Sequence, residues 1–319
     1  MPSRSLILCS SLMLLFLGCT DEPTSSSGRA DGPPPRAAPD AVGTDSVVVI
    51  AAGDIHTYCD RPWVLTRAAA TAAIAAKYPE ALVIPMGDLA GEFGTVAEFQ
   101  CYDASWGKLK DRTYPVMGNH ELSLDPTAKP YYDYFNGVGV DSGRAGKRGK
   151  AYYALDQAGW RIFIANFNAY NQPLDEQEAW MKQDMVANPH LCTMAVWHRP
   201  LFVSSDQPAG VHKASKLPRW WTTLYNGGAD VILNGHSHLY ERFGKLRPDG
   251  VVDNARGIRE FIAGTGAAGL YKFNTILPGS EQRLLFYGVL KMTLKPGSYS
   301  WEFIDMKGVV RDSGSDTCH

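Results

Sequence analysis

The sequence predicts an α/β fold, and three observations carry that prediction. β-Branched and aliphatic runs alternate with helical stretches along most of the chain, the early runs each stop at a Gly followed by Asp or Asn, and the last part changes to strands alone. Alternation at this spacing indicates parallel βαβ units, in which polar residues arriving at the carboxyl ends of strands collect on one edge.

Residues 46–52 form a β-branched run that ends on Gly53-Asp54, and 64–77 follow as an Ala-rich helix. The pattern then repeats: 81–86 end on Gly87-Asp88, a helix covers about 96–109, and 113–117 end on Gly118-Asn119-His120. Further on, 160–165 are a strand, 174–187 a helix, 191–197 a strand ending at His198, and 229–234 a strand ending at Gly235-His236-Ser237-His238. Residues 259–263, 284–294 and 298–304 read as hairpin-forming strands that complete a second sheet. With no inter-domain linker among them, 46–319 are expected to form one domain.

The front of the chain has a different character. Arg4 precedes an apolar run from Leu6 to Leu17 that is shorter than the roughly 20 residues a transmembrane helix requires, so 1–19 read as an export signal and no transmembrane helix is expected in the mature chain. Its ending, Phe16-Leu17-Gly18-Cys19, resembles a bacterial lipobox with Phe16 where Leu is usual; Cys19 is then the lipid-anchored first residue, with cleavage by an ordinary signal peptidase as the alternative. Residues 20–45, rich in Ser, Gly, Pro and Ala, cannot offset their ordering entropy by burial and are expected to be a flexible linker. The protein is thus expected in the periplasm or at the cell surface, touching membrane only through that anchor.

Composition narrows the function. A hydrophobic fraction of 45% supports a large core, and a formal charge of −2 gives no signal for broad binding to nucleic acid. Cys59, Cys101, Cys192 and Cys318 remain after the signal, an even number that suggests two disulfides in an exported protein. Cys192 precedes His198 by a strand length of about 20 Å, whereas Cys59 and Cys101 closely follow the first two strand-end motifs. Pairing Cys59 with Cys101 and Cys192 with Cys318 is therefore favoured among the three alternatives.

The chemistry resides at the strand ends. They present Asp54-x-His56, Asp88, Asn119-His120, His198 and His236-x-His238 in order. Singly, each is an ordinary turn or cap residue; together they are carboxylates, imidazoles and an amide oxygen, donors suited to Zn, Mn or Fe. Residues two apart on extended backbone face the same side, so Asp54 with His56, and His236 with His238, can share an ion. Seven donors exceed one tetrahedral site and suit two ions bridged by a carboxylate.

The order Gly-Asp-x-His, Gly-Asp, Gly-Asn-His-Glu, strand-end His and Gly-His-x-His resembles the calcineurin-like metallophosphoesterases, and the stretch from Gly235 to Arg242 is similar to a segment of purple acid phosphatases. The resemblance implies a β-sandwich of two mixed sheets flanked by helices. It also implies two divalent or trivalent metal ions (Fe, Zn or Mn), one held by Asp54, His56, Asp88 and His238, the other by Asp88, Asn119, His198 and His236. Asp88 is the implied bridge, and His120 the implied catalytic contact to the phosphoryl group and leaving oxygen. Purple acid phosphatases carry a Tyr three residues after the bridging Asp and lack the His two after the first Asp, where this chain has Gly91 and His56. Protein serine/threonine phosphatases have an Asp at the Gly91 position that orients the counterpart of His120; Glu92 is the candidate substitute.

The expected activity is hydrolysis of a small-molecule phosphoester, foremost a monoester, by in-line attack of metal-bound hydroxide. A phosphodiesterase or nuclease of the same superfamily, or a non-catalytic surface binding lipoprotein, are the alternatives. No Gly-x-Ser-x-Gly elbow points to a covalent nucleophile. The string Gly264 to Gly269 mimics a dinucleotide fingerprint, but no helix follows it, so a turn beside the metal site is expected. The basic residues of 143–150 read as a solvated loop, His212 as a surface residue, and Trp197, Trp220 and Trp221 as core or pocket-wall aromatics.

Overall fold

The computed structural model describes residues 46–167, 173–205 and 216–319. Residues 1–45, on which the expected export signal, Cys19 anchor and linker fall, and His212 lie outside the described residues.

The described elements run, in chain order, β1 (Val47–Ala52), α1 (Pro62–Ala76), β2 (Leu82–Pro85), α2 (Val96–Asp103), α3 (Lys129–Asn136), β3 (Ser142–Gly143), β4 (Gly146–Lys147), β5 (Tyr153–Gln157), β6 (Trp160–Ile164), α4 (Leu174–Ala187), β7 (Cys192–Val196), α5 (Leu217–Asn226), β8 (Val231–Asn234), β9 (Tyr240–Leu246), β10 (Ile258–Ala263), β11 (Ser280–Leu284), β12 (Gly288–Lys295), β13 (Ser298–Asp305) and β14 (Val310–Thr317). One sheet has the order β14-β13-β12-β1-β2, a second has the order β11-β9-β10-β8-β7-β6-β5, and β3 with β4 makes a small hairpin. Both large sheets are mixed: β1 is parallel to β2 but antiparallel to β12, and β6, β7, β8 and β10 run parallel while β5, β9 and β11 oppose their neighbours.

Period-2 side-chain alternation explains the layering. From β1, Val49 and Ala51 join β7, β8, β12 and β13 residues in the core between the sheets. Ile50 and Ala52 face the other way, into a second core with α1, α2 and α3. On the far face Phe163, Ala195, Ile232 and Ile262 pack under α4 and α5. Helices thus flank two stacked sheets, the sandwich implied by the resemblance. Trp197, Trp220 and Trp221 are fully buried in the α4–α5 layer, so they are core residues.

Several local expectations change. The predicted helix over 96–109 stops at Asp103 and resumes as a 3-10 helix over Trp106–Arg112, and 113–117 make only isolated bridges, Val83 to Thr113 and Met86 to Val116. The three late strands do not complete one sheet. β10 lies parallel to β8, whereas β12 and β13 cross to β1; the run 284–294 is broken by exposed residues before Gly288, which separates β11 from β12. Cys59 is bonded to Cys101 and Cys192 to Cys318, each with Cα atoms 5.6 Å apart. The second bond ties the start of β7 to the chain end after β14, so it links the two sheets across the sandwich.

Candidate metal centre

The loops after β1, β2 and β10 are knitted by backbone hydrogen bonds: Asp54 N–H donates to Gly87 O at 3.0 Å, His56 N–H to Asp88 O at 3.0 Å, and Gly53 N–H to Ala263 O at 2.8 Å. Asp54, His56, Asp88 and His236 all adopt positive φ, at 59°, 46°, 54° and 66°. Such conformations cost of order 1–3 kcal/mol each and persist only where surrounding structure enforces them. Glycine is required beside them. A Cβ on Gly118 would stand 2.1 Å from Asp88 Oδ1, and one on Gly87, itself at φ +85°, would stand 2.5 Å from His198 Nδ1.

Three overlapping triads result, each with its donor atoms within 4.8 Å of one another: Asp54, His56 and His238; His56, Asp88 and His120; Asp88, His198 and His236. Asp88 Oδ2 is the focus, 3.0 Å from His198 Nε2, 3.4 Å from His56 Nε2 and 3.7 Å from His120 Nε2. Asp54 Oδ1 lies 3.2 Å from His238 Nε2. These atoms are close, yet Asp54 Oδ1, His56 Nε2 and His198 Nε2 are buried without a hydrogen bond of acceptable direction. Orphaned polar atoms at several sites in one cluster are costly unless something else satisfies them. Their chemistry, carboxylate oxygen and imidazole nitrogen with no thiolate, fits divalent or trivalent metal ions.

The outer faces of the imidazoles are already committed. His198 Nδ1 contacts Met86 O and His238 Nδ1 contacts Gly269 O, both at 2.8 Å, which makes each Nδ1 the donor and turns Nε2 inward. Tyr58 Oη sits 3.3 Å from His56 Nδ1, a supporting position rather than one inside the cluster. Tyr271 stacks on His238 at 4.0 Å between centroids, and its N–H donates to His238 O at 2.9 Å. Electrostatics reflect the crowding. Burial works against Asp88 ionising, but the surrounding His198, His56 and His120 hold its carboxyl well below the usual carboxylate range. Burial likewise opposes charge on His198, yet the Asp88 carboxylate brings it up to about 9.

Asn119 Oδ1 accepts from Arg199 Nη2 at 3.0 Å. His120 differs from the other imidazoles: its ring is partly exposed, Nδ1 contacts Glu92 O at 2.8 Å, and its backbone N–H donates to Asp88 Oδ1 at 2.9 Å. Glu92 therefore orients His120 through its carbonyl. Its carboxylate turns instead toward Arg61, at 4.0 Å. At Gly91, itself at φ +59°, any Cβ would meet Glu98, whose carboxylate accepts from the Glu92 and Thr95 N–H groups, so a larger residue there would have to displace that carboxylate from both.

Glu121 is a further residue of the centre that its place in the sequence barely marks. Its buried carboxylate accepts from the N–H groups of Asp88, Leu89 and Gly118 at 3.0, 2.8 and 2.7 Å, stapling the β2 loop to the Gly118 loop. Burial first, and the Asp88 charge second, push it up to about 7. The signal available in sequence was only its place in Gly-Asn-His-Glu. The glycine string after β10 is a turn against the centre, as expected: Gly266 N–H donates to Gly53 O, and Ala267 and Ala268 N–H to Asp54 O. In the basic loop, Arg148 pairs with Asp133 and Lys150 with Glu176, both at 2.6 Å. Cys192, Asp230 and Cys318 also cluster, but the disulfide consumes both sulfurs.

This is an α/β sandwich that carries a cluster of Asp and His side chains at its strand ends. The sequence pattern of the calcineurin-like phosphoesterases matches residues 47–240, and the chain belongs to that family. It is 26% identical over 152 residues to purple acid phosphatase 15 of Arabidopsis thaliana, covering 44% of this chain and 28% of that protein, and 24% identical over 152 residues to purple acid phosphatase 23 of the same plant, covering 44% and 33%. The match thus spans about a third of these relatives' length. Among solved structures, the purple acid phosphatase PPD1 from yellow lupin superposes with a TM-score of 0.64 at 19% identity, covering 85% of this chain and 54% of that one. GAP50, the anchor in the inner membrane complex of Plasmodium, superposes with 0.63 at 12% identity, covering 86% and 89%. At these identities the superpositions establish the fold.

Proposed function

We propose that this protein is a dinuclear metal-dependent phosphoester hydrolase acting foremost on monoesters. The observation that carries the reading is the convergence of the buried, hydrogen-bond-orphaned Asp54 Oδ1, His56 Nε2 and His198 Nε2 around Asp88. Asp54, His56, Asp88 and His238 would hold one ion, and Asp88, Asn119, His198 and His236 the other. When bound, the two ions supply Lewis acidity and lower the pKa of water.

The protein's own part is positional. Asp88 would be shared by both ions, and the outward Nδ1 contacts of His198 and His238 keep their Nε2 atoms inward. His120, outside the metal set and partly exposed, is placed to donate a proton to the departing ester oxygen, with Glu92 O fixing its ring. Similarity to purple acid phosphatases, carried in the sequence by the stretch from Gly235 to Arg242, supports monoesters over diesters.

Two disulfides fit an oxidising compartment, and among the described residues no helix is long and apolar enough to cross a membrane. We extend the proposal to export as a lipoprotein anchored at Cys19, with 20–45 as tether and 46–319 as the catalytic domain.

A non-catalytic reading has one specific support, since GAP50 bears this fold as an anchor. Metal analysis of the purified protein, with turnover of aryl phosphate monoesters and diesters after Mn, Zn or Fe loading, separates the readings. Monoester turnover with two bound ions is expected; metal-loaded protein inert toward both ester classes would sink the hydrolase reading, and a preference for diesters would move it to a phosphodiesterase.

A further inference from the structure

The imidazoles of the centre are aimed in two ways. His198, His238 and His120 each turn Nδ1 to a backbone carbonyl, those of Met86, Gly269 and Glu92, at 2.8 Å. His56 turns Nδ1 to a side chain instead, the hydroxyl of Tyr58 at 3.3 Å. A carbonyl stays wherever the backbone stays, whereas a hydroxyl can be deleted with the backbone left in place. The grip on His56 can therefore be removed by itself.

Tyr58 is held in position from both flanks. Before it, Thr57 N–H and Oγ1 both donate to Leu89 O, at 3.3 and 3.2 Å. After it, Cys59 is bonded to Cys101, and Arg61 N–H donates to Tyr58 O at 3.3 Å. The Arg61 guanidinium lies over the phenol ring, 3.8 Å from its centroid, and the half-buried ring packs against the core shared by α1, α2 and α3.

The chemistry of the imidazole sets the direction of the contact. A neutral ring carries one N–H and one lone pair, and the lone pair is what takes a metal ion. His56 belongs to two of the three triads, and its Nε2 is buried, without a hydrogen bond and 3.4 Å from Asp88 Oδ2. With the Nε2 lone pair directed into the cluster, the ring proton is on Nδ1 and Tyr58 Oη accepts from it.

We propose that Tyr58 is a positioning residue: by accepting from His56 Nδ1 it keeps Nε2 turned to the ion assigned to Asp54, His56, Asp88 and His238, and so governs how tightly that ion, rather than its neighbour, is held. The inference rests on the dinuclear hydrolase reading above. Its test uses the full chain with zinc as the probe, counting ions by elemental analysis and resolving two affinities by competition with a chromogenic chelator. In Tyr58→Phe, which keeps the ring under Arg61 and removes the hydroxyl alone, one affinity should fall roughly ten- to a hundredfold while the other holds. The metal-free variant should melt at the wild-type temperature, and in a His56→Ala background the same substitution should cost nothing further. Two unchanged affinities, equal losses at both ions, a lower Tm of the metal-free variant, or a further loss in the His56→Ala background would each overturn the proposal. Wild-type protein that holds no zinc would overturn it together with the metal-dependent reading. Two ions, one of them Tyr58-dependent, with no turnover of either ester would overturn the hydrolase reading and leave the role of Tyr58 standing.

Discussion

The two sheets contribute to the centre in different ways. The five-stranded sheet delivers Asp54, His56 and Asp88 on loops forced into left-handed backbone and cross-linked by their own hydrogen bonds. The seven-stranded sheet delivers His198, His236 and His238; of these only His236 has positive φ, and His198 and His238 are aimed by carbonyls that grip Nδ1. One side therefore concentrates negative charge and strain, and the other supplies imidazole donors, two of them aimed from outside. Charge placed on a single side explains why Asp88 Oδ2 becomes the point where imidazoles from both sheets meet.

Removing the charged side's focus should have the largest effect. On the proposed function, Asp88→Ala leaves two ions without a shared carboxylate, so elemental analysis should find depleted metal and assays no turnover. Retention of two ions with near-normal rates would break the division of labour between the sheets.

His120→Ala should come next, because on the proposed function it removes proton donation without touching the metal set. For an alkyl phosphate the loss should fall within about 10²–10⁴-fold, and for a nitrophenyl ester, whose leaving group needs little protonation, it should be smaller, with metal content unchanged in both. Equal losses would assign His120 to electrostatic contact with the phosphoryl oxygens instead.

The strained side can also be probed through its glycines. In Gly118→Ala the new methyl would stand 2.1 Å from Asp88 Oδ1, so the loop must shift at a cost of about 1–3 kcal/mol. Thermal unfolding should show a lower Tm, and metal affinity should fall as Asp88 moves. An unchanged Tm and metal affinity would mean that this loop is not the rigid partner in the comparison.

The smallest effect is spectroscopic. With Gly91 at the position where purple acid phosphatases carry Tyr, iron-loaded protein should lack a strong visible tyrosinate band. If a band appears and vanishes in Tyr58→Phe, Tyr58 has turned from His56 Nδ1 to coordinate iron, and the charged side has gained a donor that the structure places outside it.

Much of the centre was legible because each candidate donor stands at or just beyond the end of an apolar run, so a one-dimensional pattern locates Asp54, Asp88, His198 and His236. Residues 113–117 were legible as a site approach but not as a loop, since pairing to β2 is decided by a neighbour and only two bridges form. Glu121 and Arg199 escaped for another reason: their partners are Asp88 and Asn119, 33 and 80 residues away, and a buried carboxylate or a reaching guanidinium resembles any other charged residue until folding sets its neighbours.

Sequence alone determined the α/β class, the set of candidate donors and the even number of cysteines, because alternation of apolar residues and the donor chemistry of Asp, His and Asn are local properties. Tertiary structure decided which sheet received β10, β12 and β13, which carbonyl aimed each imidazole, and that Glu92 reaches His120 through its backbone while Glu98 fills the space beside Gly91. Those outcomes depend on contacts between segments far apart in the chain, where burial and hydrogen-bond satisfaction select one arrangement among many that the local pattern permits.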